Sequence, residues 1–428
     1  MPSPDAWPRA ESLLPLATIV PWAAATFALV ATTGCACVLD RLAGASSRDA
    51  SKMASELSPA ARALVARVYA DVDPARLLDY HVHVVGLGEG GSGCYVNPHM
   101  RTWAHPVDRV KFLAYRSAGH IRHEEHAESE YLARLVELAR GHRGRFLVLA
   151  FDENRDGAGR VVPEKTEFHV PNTYALRVAA QHPDLLVAAV SVHPLRPDAL
   201  EELDRCAAAG ARIVKWLPNA MSIDPSDPRC LPFYERMRKH GMILLSHGGE
   251  EAAVDAAEDQ KLGNPLLLRA ALDAGVKVIC AHFAGLGEDE DLDDPARPRV
   301  ASWRLLLRMM EDPRWKDLLF ADISAATQAN RTPEPLGTLL RREDLHARLV
   351  NGSDYPLPAV NVVISTRKLA RKGFLTAAER DALNEIYDFN PIVFDYALKR
   401  CLVARDADGT EHRFAASVFE EHPALRAR

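Results

Sequence analysis

The sequence predicts an α/β fold, a (β/α)8 TIM barrel with an N-terminal hydrophobic helix outside it. Two observations lead to this: eight short β-branched runs alternate with helical patterns from residue 72 onward, and polar side chains stand at the ends of these runs. Such alternation is typical of parallel strands joined by helices. Because active-site residues of such barrels lie at the C-terminal ends of the strands, the pattern also indicates an enzyme.

The predicted strands follow one another at intervals that leave room for a helix. In order they are LLDYHVHVVG (77–86), RFLVLAFDEN (145–154), LVAAVSVHP (186–194), ARIVKWLP (211–218), GMILLSHG (241–248), VKVICAHFAG (276–285), LLFADISA (318–325) and RLVNGSDYP (348–356). Helical patterns such as PDALEELDRCAAAG fill the gaps and end at a glycine, as a helix C-cap should. We therefore assign residues 72–400 to the barrel and 401–428 to a C-terminal extension.

The composition is that of a globular protein and limits its partners. Of 428 residues 48% are hydrophobic and 26% charged, and the formal net charge is −6, which lacks the basic excess that phosphate-backbone binding needs. The seven cysteines form no C-x-x-C pairs, so neither a disulfide scaffold nor a thiolate zinc site is indicated. We expect a small-molecule substrate and no nucleic acid, and a homo-oligomer is compatible with the sequence.

The N-terminal residues 1–40 form a hydrophobic anchor or signal segment in our interpretation. Residues 13–39 contain no charged side chain, and about 20 apolar residues span a bilayer. A retained anchor, a cleaved signal peptide and a lipoprotein signal ending at Cys35 are all open. More positive residues follow the segment than precede it, which favours an anchor with a cytoplasmic catalytic domain. Residues 41–71 then read as a linker and a short helix beginning at Ser58.

Two histidines, His81 and His83, stand in the first predicted strand. Residues two apart in a strand point to the same side, and at about 3.3 Å rise per residue they can share one ion. Taken alone, such a pair is as compatible with buried structural histidines as with a metal site. Other polar residues end strands at the same side of the barrel: His247, His282 and Asp354. Together these five predict a divalent metal centre.

Lys215, in IVKWLP, also ends a predicted strand. It could reach solvent, pair with a carboxylate, or be carbamylated and bridge two metal ions. For Asp152 and His193, at the ends of the second and third strands, we favour structural hydrogen bonds.

The motifs HVH, VKWLP, SHGG, AHFAG and GSDYP, followed by FNPIVFDYALKR, resemble the amidohydrolase superfamily, in particular the amidohydrolase-related branch that includes aminocarboxymuconate semialdehyde decarboxylase. The resemblance implies that His81, His83, His247 and Asp354 bind one metal ion, most often zinc, with manganese or iron as alternatives. It implies that His282 is an acid or base beside that ion. The N-terminal segment and the long insertion after the first strand depart from the family pattern.

These residues suggest a metal-dependent hydrolase of a small, carboxylated amide, ester or lactone. Zinc lowers the pKa of bound water from about 15.7 toward about 7, and Asp354 would take its proton while His282 polarises the carbonyl or protonates the leaving group. A carbamylated Lys215 would make the site binuclear, with His282 as a ligand of the second ion. The alternatives are a decarboxylase of the same family and a membrane-tethered, catalytically silent binding module.

The segment 97–126 is rich in arginine and histidine and follows the first strand, so we expect it over the barrel mouth. Arg101, Arg116 or Arg122 could grip a substrate carboxylate with two parallel hydrogen bonds. The competing interpretation is an ordinary solvated surface.

Overall fold

The computed structural model describes residues 48–256 and 258–426, and these form the barrel that the sequence predicts. The predicted anchor or signal segment at residues 13–39 lies outside the described residues, so its membrane role stays a prediction. Within the described part of the chain, no helix combines the length and the apolar character that crossing a membrane requires.

Eight parallel strands form the barrel wall, each within or overlapping its predicted run. They are β1 (Leu78–His83), β2 (Arg145–Leu149), β3 (Leu186–Ala189), β4 (Ile213–Trp216), β5 (Ile243–Ser246), β6 (Lys277–Cys280), β7 (Leu319–Asp322) and β8 (Leu349–Val350). Strands β1 to β3 make one hydrogen-bonded sheet and β4 to β8 make the other, each in sequence order.

Two parallel bridges close these sheets into a barrel. Val190, just after β3, pairs with Val214 of β4, and Val82 of β1 pairs with Tyr355, which follows β8. At the second seam the amide of Asp354 donates to the carbonyl of His81 at 2.8 Å. The segment after β8 is therefore fixed beside the two histidines of β1.

The described residues contain fourteen α-helices, joined by short 3-10 turns. They are α1 (Met53–Glu56), α2 (Pro59–Val68), α3 (Pro106–Ala118), α4 (Ala127–His142), α5 (Asn172–Gln181), α6 (Ala199–Ala208), α7 (Pro218–Met221), α8 (Leu231–Lys239), α9 (Arg269–Asp273), α10 (Ser302–Glu311), α11 (Pro333–Arg341), α12 (Thr366–Arg371), α13 (Ala377–Phe389) and α14 (Pro391–Cys401). The predicted start of α2 is confirmed, because the Ser58 hydroxyl accepts a hydrogen bond from the amide of Ala61.

The barrel interior is filled by apolar side chains, not by a channel. The inward-facing residues of alternate strand positions pack together, among them Leu78, Tyr80, Leu147, Ile213, Ile243, Ile279 and Phe320. The C-terminal extension closes the base of this interior, which the sequence did not indicate. Leu425 packs into the cluster, and the Tyr80 hydroxyl accepts from the amide of His422 at 3.0 Å.

The long insertion after β1 covers the opposite end, at the barrel mouth. Its strand Tyr95–Val96 pairs antiparallel with Phe168–His169 from the loop after β2, and α3 follows it. Phe112 of α3 lines the same cavity as His81. The expected position of this segment over the mouth is therefore observed.

Because the C-terminal extension closes the base of the barrel, we expect substitutions of two leucines to differ in their effect on the free energy of unfolding. Leu425 is 4% exposed and Leu231, at the start of α8, is 50% exposed. We expect Leu425→Ala to lower the free energy of unfolding by about 2–5 kcal/mol, since it removes buried methyl groups and leaves a cavity. Leu231→Ala should change it by no more than about 0.5 kcal/mol. Urea unfolding of both variants checks this; equal losses would mean that Leu425 is not part of the core.

Candidate metal centre

The polar residues singled out in the sequence converge at the C-terminal ends of the strands. Six of them line one cavity: His81, His83, Lys215, His247, His282 and Asp354. They come from β1, β4 and the turns after β5, β6 and β8. Parallel strands of a closed barrel end on the same side, so residues far apart in the chain meet here.

The most compact group of potential ligand atoms belongs to His81, His83 and Asp354, with every such atom within 4.8 Å of the others. The Asp354 Oδ1 atom lies 3.2 Å from His83 Nε2 and 3.6 Å from His81 Nε2. Nitrogen and oxygen ligands of a tetrahedral zinc ion, each about 2 Å from the metal, are roughly 3.3 Å apart. The spacing of these atoms therefore fits one divalent ion.

Asp322, at the end of β7, holds His81 in place. Its carboxylate accepts from His81 Nδ1 at 2.9 Å, so the Nε2 atom of the neutral ring carries the lone pair. A carboxylate behind a ligating histidine fixes the ring orientation and raises its basicity. Asp322 was not among the residues predicted from the sequence, although it lies in the run LLFADISA and is the last residue of β7, near the strand end where other runs carry polar residues.

The proton positions around His282 follow from the same carboxylate. The Ser324 hydroxyl donates its one hydrogen to Asp322, so its oxygen accepts from His282 Nδ1 at 2.7 Å. The neutral His282 ring therefore presents an Nε2 lone pair, and this residue lines the cavity. His282 faces the cavity as a proton acceptor.

The backbone is shaped to bring these side chains together. Gly352 packs against His81 so closely that an added Cβ would lie 2.7 Å from the Cβ of His81. Asp354 and His282 have positive φ angles, 61° and 57°, in the left-handed region that costs non-glycine residues energy. Strained conformations at both positions are typical of functional sites.

Burial keeps His81, His247 and His282 neutral, the form that can bind a metal. Desolvation lowers the pKa of His247 to about 4 and that of His282 well below its usual range. It also lowers the pKa of His81, helped by the charge of Lys215. Burial by itself would raise the pKa of Asp354, but its contact with His83 and the positive charge of Lys215 act in the opposite direction, and the pKa falls below its usual range, so Asp354 stays ionised.

Lys215 and His247 lie beside the compact group. The Lys215 Nζ atom is 3.3 Å from His81 Nε2, so a positive group already fits next to that nitrogen. His247 Nδ1 lies 3.3 Å from a Glu251 oxygen without forming a hydrogen bond, and Nε2 lies 3.4 Å from the Glu250 carbonyl. The ring centroids of His247 and His282 are 5.0 Å apart. Among the described residues, the compact group of ligand atoms from His81, His83 and Asp354 does not include an atom of His247.

The three arginines of the insertion already contact side chains of the same insertion. Arg101 and Arg116 both pair with Glu124, at 2.7 and 2.9 Å, and the Arg122 guanidinium lies 3.1 Å from His120 Nε2 on the surface. Arg116 lines the cavity near its mouth. A substrate carboxylate would have to compete with Glu124 for two of these three arginines.

Asp152 and His193 make structural hydrogen bonds, as we favoured from the sequence. The Asp152 carboxylate accepts from the amide of His193 at 2.8 Å, and His193 Nε2 lies 3.0 Å from the carbonyl of Met221. Neither residue is among those that line the cavity.

The cavity above the centre has a volume of about 160 Å³ and is walled mostly by apolar side chains. Its apolar wall includes Val84, Val96, Phe112, Phe151, Phe168, Leu217 and Leu357. Its polar residues include three that sequence reasoning missed, namely Tyr115, Glu251 and Arg331. No motif marked these three, since they stand in loops or on helices away from the strand ends.

Comparison with known proteins identifies a protein family that this chain matches. The Amidohydro_2 family model, described as amidohydrolase, matches residues 78–391. A search of the curated proteins finds no match.

Similar solved structures include three with low identity. An uncharacterized TIM-barrel protein from Bordetella bronchiseptica is 15% identical, with 72% of this chain and 99% of that chain covered and a TM-score of 0.45. IDCase from Metarhizium anisopliae is 12% identical, with 76% and 98% covered and a TM-score of 0.39. The 4-oxalomesaconate hydratase LigJ from Rhodopseudomonas palustris is 15% identical, with 76% and 98% covered and a TM-score of 0.39.

The pairing of Asp322 with His81 predicts a change in metal affinity. Asp322→Asn replaces one acceptor oxygen with a donor and removes the charge behind His81, so we expect zinc affinity to fall about 10- to 100-fold. Asp152→Asn is the matched control, because its buried carboxylate also follows a barrel strand and accepts from a backbone amide outside the centre. Competition with a fluorescent zinc chelator measures both; equal zinc affinities would show that Asp322 does not support the centre.

Proposed function

Because this chain belongs to the amidohydrolase family, we propose that it is a metal-dependent hydrolase of a small amide, ester or lactone. The observation that carries the proposal is the group formed by His81, His83 and Asp354, whose facing atoms have the spacing of metal ligands. Each of the three opens onto the same cavity. His247, which lines the same cavity, is proposed as the fourth protein ligand.

The donor set suits a borderline divalent ion. Imidazole nitrogens with one carboxylate are typical ligands of zinc, and manganese or iron are the alternatives. When bound, the ion supplies a Lewis acid that lowers the pKa of water and polarises a carbonyl. Buried, neutral His81 and ionised Asp354 are in the protonation states that such binding needs.

The chain's own residues then account for the proton transfers. Asp354 orients the attacking water and takes its proton. His282, whose Nε2 atom carries a lone pair, receives this proton and delivers it to the leaving group. The apolar cavity excludes competing water, which strengthens the electrostatic interactions of Asp354 and His282 with the substrate.

A binuclear version uses two further residues. Lys215, carbamylated, would bridge two ions, and His282 would ligate the second; His81, His282 and Asp322 also place ligand atoms within 4.8 Å of one another. The mononuclear version is the one proposed, because the binuclear version needs in addition a carbamate on Lys215, whose Nζ atom lies 3.3 Å from His81 Nε2.

We expect one metal ion per chain in the full-length protein, measured by elemental analysis. His81→Ala and Asp354→Ala should lose it, since each removes a ligand. His282→Gln should keep it while kcat falls about 10²- to 10⁴-fold on a substrate found among amides, esters and lactones, since the group that passes the proton to the leaving group is lost. Two ions per chain, with a carbamate on Lys215 in the mass spectrum, would replace the mononuclear version by the binuclear one.

Product analysis separates the reaction classes. Incorporation of heavy oxygen from labelled water into the product is expected for a hydrolase, whereas carbon dioxide release without such incorporation would identify the decarboxylase. Stoichiometric metal with no turnover on either kind of substrate would favour a binding module. A wild-type protein that binds no metal even after reconstitution would contradict the whole proposal.

A further inference from the structure

Arg331 is a buried cation that has no partner in the part of the chain that the structure describes. It lies in the loop between β7 and α11, is 7% exposed and lines the cavity with His282 and Asp354. Its Nε and Nη1 atoms make no hydrogen bond, and no described carboxylate forms an ion pair with it. Burying an unpaired guanidinium costs free energy, so its place at the cavity needs an explanation.

The neighbourhood of Arg331 holds its backbone in position without neutralising the charge of its side chain. The Arg331 amide donates to the Gln328 carbonyl at 3.2 Å, and Lys368 Nζ donates to its carbonyl at 3.2 Å. Gly285 leaves room for the guanidinium, because an added Cβ there would lie 3.2 Å from Nη1. Asp354 and Glu251 attract the charge only from beyond ion-pair distance.

A second buried cation shows what a structural role looks like in this fold. Lys399, on α14, is completely buried, but its Nζ atom donates to the Asp395 carboxylate and to the Gly352 carbonyl, both at 2.6 Å. Its charge is therefore compensated within the protein. Arg331 lacks such compensation, and it lines the cavity while its Nε and Nη1 atoms stay without a hydrogen-bond partner.

We propose that Arg331 binds the carboxylate of the substrate, and that the enzyme therefore takes monoanionic acids with an apolar body. This proposal rests on the hydrolase function proposed above and assigns its substrate class. A planar guanidinium with free N–H groups matches a carboxylate, and desolvation strengthens the charge-assisted hydrogen bonds. The substrate anion would compensate the positive charge of Arg331, which no carboxylate of the described residues pairs with.

The rest of the cavity restricts the remainder of the substrate. Its walls are apolar along Val96, Phe112 and Phe168, which favours an alkyl or aryl body. Of the other cations that line it, Lys215 lies 3.3 Å from His81 Nε2 and Arg116 is paired with Glu124. Glu250 and Glu251 also line it, so a second negative charge on the substrate would meet like charges. One carboxylate at Arg331 and one apolar group against the aromatic wall are what this arrangement accepts.

Two ligands that differ only in charge test the proposal on the metal-loaded, full-length protein. The probes are hydrocinnamate and benzylacetone, its neutral ketone analogue that cannot be hydrolysed, and calorimetry measures their affinities. We expect the wild type to bind hydrocinnamate about 10- to 100-fold more tightly. Arg331→Met and Arg331→Gln should abolish this preference while changing benzylacetone affinity less than about twofold.

Arg116→Met is the competing variant, because Arg116 also lines the cavity but is paired with Glu124. We expect it to keep the preference for the acid. Loss of the preference in Arg116→Met, or its persistence in both Arg331 variants, would overturn the assignment. Thermal unfolding accompanies the titrations, and we expect neither Arg331 variant to have a lower Tm, since an uncompensated buried charge is removed.

Failure of the proposed carboxylate site can be distinguished from failure of the proposed hydrolase function. Metal content and turnover are measured separately, and neither enters the comparison of the two probes. A preference that depends on Arg331 in a protein without hydrolytic turnover would support the anion site and reject the hydrolase. Turnover of neutral esters that Arg331→Met leaves unchanged, with no preference for hydrocinnamate, would do the reverse.

Discussion

The seam between β1 and the segment after β8 is the constraint on which the rest of the centre depends. There the Asp354 amide donates to the His81 carbonyl at 2.8 Å, and the His83 amide donates to the Tyr355 carbonyl at 2.8 Å. These bonds fix the first and last strands of the barrel beside each other. Because Gly352 carries no Cβ, the two backbones approach closely enough for Asp354 to face both histidines.

Asp322 extends this arrangement into a network of defined proton positions. One carboxylate accepts from His81 Nδ1 and from the Ser324 hydroxyl, and Ser324 in turn accepts from His282. Both imidazoles therefore turn an unprotonated nitrogen toward the cavity. Burial keeps them neutral, and a low dielectric makes any misplaced proton costly, so the network specifies one arrangement.

The cavity combines an apolar wall with uneven charge. The ligand group lines it together with the unpaired guanidinium of Arg331, which comes from the loop after β7. Arg101 and Arg116 of the insertion are already paired with Glu124. In a desolvated site an unpaired cation is worth more to an anionic ligand than a solvated, paired one, because the ligand displaces neither water nor a competing carboxylate.

The sequence by itself determined the barrel, its eight strands and the end at which His81, His83, His247, His282 and Asp354 gather, because hydrophobic periodicity and strand-end positions are local properties of the chain. Only the tertiary structure decided which other residues hold these side chains in place, pair with the arginines nearby and close the barrel. Asp322 behind His81, Glu124 between Arg101 and Arg116, and Leu425 at the barrel base are contacts between residues distant in the chain. Arg331 could not be found from its sequence, since lack of a partner is a property of the folded surroundings.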